Sequence, residues 1–373
     1  MQYIKNLMIM GVLIGALGNP VAVHAQKTEP LNIIFMVGDG MGVAQVSTAF
    51  YFGEGVPNFQ QFPIVGLSET SSTSNKVTDS AAGATAFSTG QKTFNRGIGV
   101  SKDTIAIPTI LEQLRDNGYQ TGLISLTSVT HATPAAYYAH VKDRDMHEEI
   151  ASQLIDAKVN FLAGGGLKFF NKRKDKKNLL KDLGKLNYKI DTLNLSKPDY
   201  KRNNIYMLAQ DALPNKVQGR ADFLPDATRV ALDYFSHQKE PFFMMVEGSF
   251  IDWGGHAKDP EMMVKEVLDF DKTIGVVIDY VKTHPNTLLI VTADHETGGA
   301  NLGKYSELNP GDGKPVLVPN KLQVNFFTDQ HTATLVPVFA MGKEAGLFSG
   351  LYSNNTIYWK LIEALKKSGV KIK

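Results

Sequence analysis

Residues 31–40 of this 373-residue chain read LNIIFMVGDG. The run from Leu31 to Val37 is almost continuously apolar, and a Gly-Asp-Gly turn follows it. A short apolar run without alternation is typical of a β-strand whose two faces are both buried. Such strands belong to parallel sheets that helices cover on either side, so this stretch predicts an α/β fold.

Five later segments repeat this pattern, with helical segments between them. The apolar runs are residues 122–126, 161–163, 242–246, 288–292 and 336–340. Residues 109–117 and 260–282 instead carry apolar residues at three-and-four spacing, which is typical of amphipathic helices. Strands that alternate with helices predict a mostly parallel central sheet with helices on both faces. Ligands of such sheets bind beyond the carboxyl ends of the strands.

Composition and charge exclude several classes of protein. The chain has 39 Lys and Arg against 37 Asp and Glu, a net charge of +2. That balance argues against a nucleic acid as a binding partner. The chain contains no cysteine, which excludes disulfides, thiolate nucleophiles and cysteine-bound metals. Any metal must therefore be held by His, Asp, Glu or hydroxyl groups.

Residues 1–25 have the pattern of a secretory signal peptide. Lys5 precedes an apolar run at residues 7–17, and small residues lead to Ala25. The apolar run is shorter than the about 20 residues that span a bilayer. This favours cleavage after Ala25 over a membrane anchor. We therefore expect residues 26–373 to form a single domain that is periplasmic or secreted.

Within that domain, residues 160–240 and 300–328 are predicted to be insertions or loops. The second region is rich in Gly, Pro and Asn, which is typical of loops. Residues 168–185, inside the first region, are rich in Lys and Arg. They could form a patch for an anionic surface or a solvated helix face. The interleaved Asp175 and Asp182 favour the solvated face.

Residues with reactive or ligand chemistry follow the predicted strands. Asp39 lies in the glycine turn after the first run, where a plain turn is the alternative interpretation. Asp79 and Ser80 open an Ala-rich segment, where either residue could be a helix N-cap. The functional alternative is a Ser80 nucleophile at a helix N-terminus, a position that favours a bound phosphate.

A second cluster, Glu247, Asp252 and His256, lies in a glycine-rich segment after the run 242–246. A lone carboxylate in such a place would be a surface charge. Three candidate ligands close together instead indicate Zn²⁺ or Mg²⁺, which oxygen and imidazole groups bind.

A third cluster, Asp294 and His295, follows the run 288–292, and His331 precedes the run 336–340. A buried core histidine is the alternative for His331. All the clusters together suit two or three divalent cations beside a hydroxyl nucleophile. That combination favours phosphoryl transfer, in which metals stabilise both the attacking and the leaving oxygen.

Six segments, in this order, resemble the alkaline phosphatase family: VGDGMG, VTDSAAGATAFSTG, THATPAAYYAHVKDR, VEGSFIDWGGH, VTADHETGG and DQHT. The resemblance extends from about residue 31 to residue 340. It implies an alkaline phosphatase-like fold and a hydrolase of phosphate monoesters that forms a phosphoserine intermediate. The wider superfamily of sulfatases and phosphodiesterases shares the Asp–His metal segments but not the Asp-Ser-Ala segment.

The resemblance also implies roles for individual residues. Ser80 would be the nucleophile, and Asp79 would orient Arg144, which would grip the phosphate. Without the motif, Arg144 would be taken for a surface arginine. The resemblance implies two zinc ions and a third metal, usually Mg²⁺. The first zinc would be held by Asp252, His256 and His331, the second by Asp39, Asp294 and His295 with Ser80, and the third metal by Asp39, Thr133 and Glu247.

Two positions depart from the best-known bacterial pattern of this family. His131 stands in place of Asp and Trp253 in place of Lys, and both positions flank the third metal and the phosphate. The identity of the third metal is therefore open. The short span from residue 299 to 329 implies a reduced crown, the family's accessory dimer-contact region, and leaves a homodimer open.

Two alternatives to a monoesterase remain at this point. One is a phosphodiesterase or sulfatase with the same machinery. A sulfatase would need Pro and Arg where Ala82 and Ala84 stand. The other is a non-catalytic phosphate- or metal-binding protein on the same fold, which we would expect to have lost some of the ligands.

Overall fold

The centre of the protein is a ten-stranded sheet. The computed structural model describes residues 30–372, and the predicted signal peptide lies outside this range. The strands of this range are β1 (Asn32–Gly38), β2 (Ile64–Glu69), β3 (Gln120–Ser128), β4 (Phe161–Gly165), β5 (Tyr188–Asp191), β6 (Asn203–Met207), β7 (Phe242–Gly248), β8 (Thr287–Thr292), β9 (Glu296–Thr297), β10 (Ala300–Leu308), β11 (Pro315–Phe326), β12 (His331–Thr332), β13 (Val336–Gly342) and β14 (Gly350–Ser353). Of these, β9, β10, β11 and β12 lie outside the ten-stranded sheet.

Helices connect most of these strands. They are α1 (Val43–Phe52), α2 (Ser80–Thr89), α3 (Ile110–Asp116), α4 (Ala132–Ala135), α5 (His147–Ala157), α6 (Lys168–Asn171), α7 (Leu179–Lys185), α8 (Phe223–Ser236), α9 (Phe250–His256), α10 (Pro260–Thr283) and α11 (Thr356–Lys367).

The central sheet has the strand order β14-β2-β13-β8-β1-β7-β3-β4-β6-β5. Within it, β13 runs antiparallel to both of its neighbours, and the other pairs are parallel. The predicted α/β fold with a mostly parallel sheet is confirmed. The apolar run at residues 31–37 corresponds to β1, which with β7 occupies the middle of the sheet.

Both faces of β1 are covered. Ile33, Phe35 and Val37 belong to a core that includes apolar residues of α2, α3, α5, α7 and α11. Ile34 and Met36 belong to a second core that includes residues of α1, α8, α9 and α10. Because side chains alternate along a strand, a strand between two apolar layers needs an unbroken apolar sequence.

The two helices predicted from spacing begin at clear capping residues. Thr109 caps α3 and forms a capping box with Glu112, which satisfies N–H groups that the helix leaves free. Asp259 caps α10, and Pro260 occupies its first turn, where a missing N–H costs nothing. Both helices agree with the predicted ranges to within a residue.

The regions predicted as insertions carry regular structure. Residues 160–240 include β4, β6 and β5, which form one end of the sheet. Residues 300–328 include the hairpin of β10 and β11, which form a two-stranded sheet separate from the central one. In the basic segment, Leu179 and Leu183 of α7 are buried while Lys181 and Lys185 are exposed. That pattern matches a solvated helix face.

No helix within residues 30–372 has the length and apolarity needed to cross a bilayer. The division into a signal peptide and a single domain stays a prediction.

Candidate active site

Three buried carboxylates lie at the carboxyl ends of adjacent parallel strands. Asp39 follows β1, Glu247 lies at the end of β7, and Asp294 follows β8. All three residues are at most 1% exposed. Since β1 pairs in parallel with both β7 and β8, the three strand ends share one edge of the sheet. The site is built on this edge.

Ser80, the first residue of α2, faces the same edge. Its Oγ lies 3.2 Å from His295 Nε2 and 3.5 Å from Asp39 Oδ1. Asp79 is the N-cap, and its carboxylate accepts a hydrogen bond from the Ala82 N–H at 3.0 Å. The two interpretations of this segment are therefore compatible. Asp79 caps the helix, and Ser80 presents its hydroxyl at an anion-attracting helix N-terminus.

Asp252, His256 and His331 form one group that could hold a metal ion, and we call it the Asp252 group. His256 Nδ1 lies 2.6 Å from the carbonyl oxygen of Asp329, and His331 Nδ1 lies 2.9 Å from that of Thr78. A carbonyl can only accept, so in each neutral ring Nδ1 carries the proton and Nε2 presents a lone pair.

The lone pairs of this group point at one another. His256 Nε2 and His331 Nε2 lie 3.0 Å apart, and Asp252 Oδ1 lies 3.4 and 3.5 Å from them. Three acceptors that converge in this way need a positive charge between them. A divalent cation with nitrogen and oxygen ligands meets that need.

Asp39, Asp294 and His295 form a second such group. The Thr297 hydroxyl donates to Asp252 Oδ1, and it therefore accepts from His295 Nδ1 at 3.1 Å. This leaves the lone pair on His295 Nε2. That nitrogen lies 3.3 Å from Asp294 Oδ2 and 3.5 Å from Asp39 Oδ1. This group, too, presents only acceptors to a common centre.

A third group comprises Asp39, His131 and Glu247. The Ser125 hydroxyl donates to Glu247 Oε2, which fixes the carboxylate. The resemblance had implied Thr133 for this position, and Thr133 lies buried on α4 two residues after His131. The structure therefore adds His131 to the potential ligands of the third group.

Burial raises the pKa of each strand-end carboxyl. The pKa of Asp39 lies well above its usual value because of burial and then the charges of Asp294, Asp252 and Glu247. Burial likewise raises the pKa of Glu247 and of Asp294. A raised pKa means that the ionised form lacks compensating charge. Divalent cations supply that charge, so these residues fit a set of metal ions.

Arg144 lies between Asp79 and His131. Its Nη1 donates to Asp79 Oδ2 at 3.1 Å, and its Nη2 donates to His131 Nε2 at 3.3 Å. Burial, followed by the charge of Arg144, lowers the pKa of His131 well below its usual value. The His131 ring is therefore neutral, and its Nε2 accepts from Arg144.

Trp253 lies on α9 between the two metal-group residues Asp252 and His256. It is 38% exposed, and its ring centre lies 4.6 Å from that of Phe250. This places an indole, rather than a charged group, on the surface next to the Asp252 group.

Glu296 is a supporting residue that the sequence patterns did not single out. Its Oε1 accepts from Gln45 Nε2 at 2.8 Å and from the Ala300 N–H at 2.9 Å. Its Oε2 accepts from the Gly299 N–H at 3.2 Å and from the Thr332 hydroxyl. The carboxylate is thus held by four donors.

Those donors connect two segments that carry candidate ligands. Glu296 follows His295, Thr332 follows His331, and β9 pairs with β12 at these residues. Contacts behind the ligands typically hold them in orientation. The position of Glu296 directly after Asp294 and His295 was a signal in the sequence that could have identified it. No sequence pattern pointed to Gln45, which lies in α1.

Comparisons with known proteins agree with this geometry. The family model described as "Alkaline phosphatase" matches residues 31–316. "Alkaline phosphatase 4" of Bacillus subtilis is 35% identical over 79% of this chain and 67% of its own length. "Alkaline phosphatase 3" of the same organism is 36% identical over 74% of this chain and 63% of its own length. The chain thus spans about two thirds of the length of these relatives.

Among solved structures, a mutant of the TAB5 alkaline phosphatase superposes with a TM-score of 0.88 and 42% identity. It covers 91% of this chain and 99% of its own. TAB5 is an Antarctic bacterium. In this mutant an aspartate replaces a histidine, and the structure is described as having Mg bound in the M3 site.

Removing divalent cations should lower the melting temperature of the protein by about 4 °C or more. Metal bound only to the folded state at about 100 times its Kd contributes about 2.7 kcal/mol. An unfolding entropy of about 2.1 cal/mol/K per residue makes 1 kcal/mol worth about 1.4 °C in a domain of about 350 residues. Calorimetry before and after treatment with a chelator measures the shift.

The variant His331→Gln is the matched control, because it lacks one ligand of the Asp252 group. Its Tm should fall less on chelation than that of the wild type. A wild-type Tm that does not respond to chelation would contradict the metal interpretation of the site.

Proposed function

The chain belongs to the alkaline phosphatase family and is a phosphoester hydrolase of that type, and we propose that it hydrolyses phosphate monoesters through a phosphoserine intermediate on Ser80. The observation that carries this proposal is the position of the Ser80 hydroxyl. It lies at the start of a helix, beside His295 Nε2 and Asp39, among buried acceptors that need cations.

We propose that two Zn²⁺ ions and one Mg²⁺ ion bind here. The zinc ligands would be those of the Asp252 group and of the Asp39–Asp294–His295 group, and Ser80 would join the second. Asp39, Glu247 and Thr133 would hold Mg²⁺, with His131 at its edge. When bound, these metals would lower the pKa of the attacking hydroxyl and offset charge on the phosphoryl group and the leaving oxygen.

Ser80 supplies the attacking atom. Ser80 gives up its hydroxyl proton to water, and its Oγ forms a bond to phosphorus while the bond from phosphorus to the ester oxygen breaks. The ester oxygen takes a proton from water and leaves as an alcohol. A second water then attacks the phosphorus of the phosphoserine and the P–Oγ bond breaks, which releases phosphate and returns a proton to Oγ. The N-terminus of α2 favours the negative phosphoryl group throughout, because its free N–H groups carry partial positive charge.

Arg144 would bind the phosphoryl oxygens. Asp79 holds its Nη1 and His131 Nε2 holds its Nη2, so two groups fix the plane of the guanidinium. A guanidinium fixed in this way can offer a two-pronged contact to phosphate. Because the same Asp79 caps α2, the positions of Arg144 and Ser80 are coupled.

Three further features complete the proposal. The protein would act in the periplasm or outside the cell after loss of residues 1–25, without a membrane anchor or nucleic acid partner. A homodimer remains compatible with it. A phosphodiesterase or sulfatase activity is the alternative, and nitrophenyl monoester, diester and sulfate-ester substrates separate these activities.

Replacing Ser80 by Ala should abolish phosphoenzyme formation and lower kcat by about 10⁴-fold or more, the scale seen when a catalytic nucleophile is removed. The phosphoenzyme can be trapped at low pH with labelled substrate and mapped by mass spectrometry. Ser88→Ala is the control on the same helix, since the Ser88 hydroxyl bonds to the Ala136 carbonyl instead. Label on a residue other than Ser80 would contradict the assignment.

Trp253→Lys should tighten inhibition by phosphate about 3- to 10-fold and lower turnover where product release limits the rate. The new ammonium adds positive charge beside the phosphate site, and charge pairs near a surface are worth up to a few kcal/mol. Steady-state assays with phosphate as inhibitor measure both effects. Trp253→Leu removes the indole without adding charge. An equal effect in Trp253→Leu would make Trp253 a packing residue.

His131→Asp should raise the affinity of the third site for Mg²⁺ by about tenfold or more, because it adds a carboxylate to Asp39 and Glu247. If His131 bound the metal, it would lose its hydrogen bond from Arg144. A metal bound at Nε2 would occupy the lone pair that accepts from Arg144 Nη2. A metal bound at Nδ1 would leave the ring proton on Nε2, where it would face the N–H of Arg144. A carboxylate has enough lone pairs for both partners.

Isothermal titration calorimetry of Mg²⁺ into the zinc-loaded protein measures this affinity. The Mg bound in the TAB5 mutant that carries a His-to-Asp change supports the expectation. His131→Asn, which is neutral, should gain little. Equal Mg²⁺ affinity in the wild type and His131→Asp would contradict the argument.

A further inference from the structure

Arg96 lies in the loop after α2 with a left-handed backbone conformation, at φ 78°. This region is uncommon for a residue with a side chain. The conformation directs the backbone N–H of Arg96 to the carboxylate of Asp79, with 3.1 Å to each of its two oxygens. Asp79 is the same carboxylate that holds Nη1 of Arg144.

The side chain of Arg96 reaches the residues on either side of Arg144. Its Nε and Nη2 donate to the two oxygens of Asp143 at 3.0 and 2.8 Å. Its Nη2 also donates to Asp145. One arginine therefore contacts both chain neighbours of Arg144 and, through its own backbone, the carboxylate that orients Arg144.

Backbone pairing reinforces this connection. Ile98 and Val141 exchange hydrogen bonds of 2.9 and 3.0 Å, which joins the loop of Arg96 to the segment that leads to Arg144. Arg96 is 47% exposed, and single exposed ion pairs contribute little to stability. The contacts of Arg96 are an exception, because its guanidinium binds Asp143 through two nitrogens and Asp145 through one, which fixes geometry as well as charge.

The arrangement also compensates charge. Asp143 and Asp145 are acidic residues that flank Arg144 in the chain. Unpaired, they would repel a phosphate dianion held by Arg144. Arg96 pairs with both acidic side chains, so Arg144 keeps its contacts with Asp79 and His131.

We propose that Arg96 is a positioning residue, which fixes the Asp143-Arg144-Asp145 turn so that the Arg144 guanidinium is oriented for phosphate before substrate arrives. Holding a binding group in place in advance reduces what is lost when the ligand binds. This inference rests on the phosphate-binding role of Arg144 in the proposed function.

The test is a double-mutant cycle of Arg96→Gln and Arg144→Ala in the metal-loaded enzyme, with the inhibition constant of inorganic phosphate and kcat/KM as readouts. Arg96→Gln alone should weaken phosphate inhibition about tenfold and lower kcat/KM to a similar extent. The Tm should stay within about 2 °C of the wild-type value, and the amount of bound metal should be unchanged. If Arg96 had a purely structural role, the Tm would fall together with the activity. Arg96→Lys should recover only part of the loss.

In the Arg144→Ala background, Arg96→Gln should have little further effect, because Arg96 acts through Arg144. The control Arg229→Gln removes a half-exposed arginine paired with Asp226 on α8 and should change neither readout. If Arg96→Gln does not fold, Asp143→Asn breaks the same contact from the other side.

Two results would overturn the inference while the proposed function stands. One is full phosphate inhibition in Arg96→Gln, and the other is an equal effect of Arg96→Gln with and without Arg144. If Arg144→Ala itself leaves phosphate inhibition unchanged, then the role of Arg144 fails, and this inference fails with it.

Discussion

Acidic side chains of like charge are buried side by side at adjoining strand ends, and the site around them is arranged to compensate this burial. Asp39, Glu247 and Asp294 lie together because β7 and β8 flank β1 in parallel register. Burial raises the pKa of each carboxyl, which means that the surrounding protein groups do not fully compensate the ionised forms. Divalent cations supply what is missing, and they join segments that are far apart in the chain.

The proton positions around this cluster follow from single hydrogen bonds. Carbonyl groups place the proton of His256 and His331 on Nδ1, and Thr297 does the same for His295. The Nε2 of each of these three histidines therefore has a lone pair that can bind a cation.

Ser80 and Arg144 are linked through Asp79, so the attacking atom and the phosphate-binding group are fixed by one carboxylate.

Sequence patterns predicted the elements that a single stretch of chain determines. The unbroken apolar sequence of β1 predicted that both of its faces are buried. The candidate metal ligands could be found because they directly follow apolar runs of this kind. Contacts between distant segments left no local signal. Gln45 meets Glu296 across 251 positions, and the left-handed turn at Arg96 does not follow from its residue type. The resemblance placed His131 beside the third metal, and the structure shows that its ring lies within reach of the same ion as Asp39 and Glu247.

Metal ions bound to these acceptors can be located by anomalous diffraction at the zinc absorption edge, from crystals grown with Zn²⁺ and Mg²⁺. We expect two zinc peaks, one among Asp252, His256 and His331 and one among Asp39, Asp294 and His295, about 2.0–2.2 Å from their ligand atoms. Zinc bound elsewhere, or no peak at these two positions, would contradict this expectation.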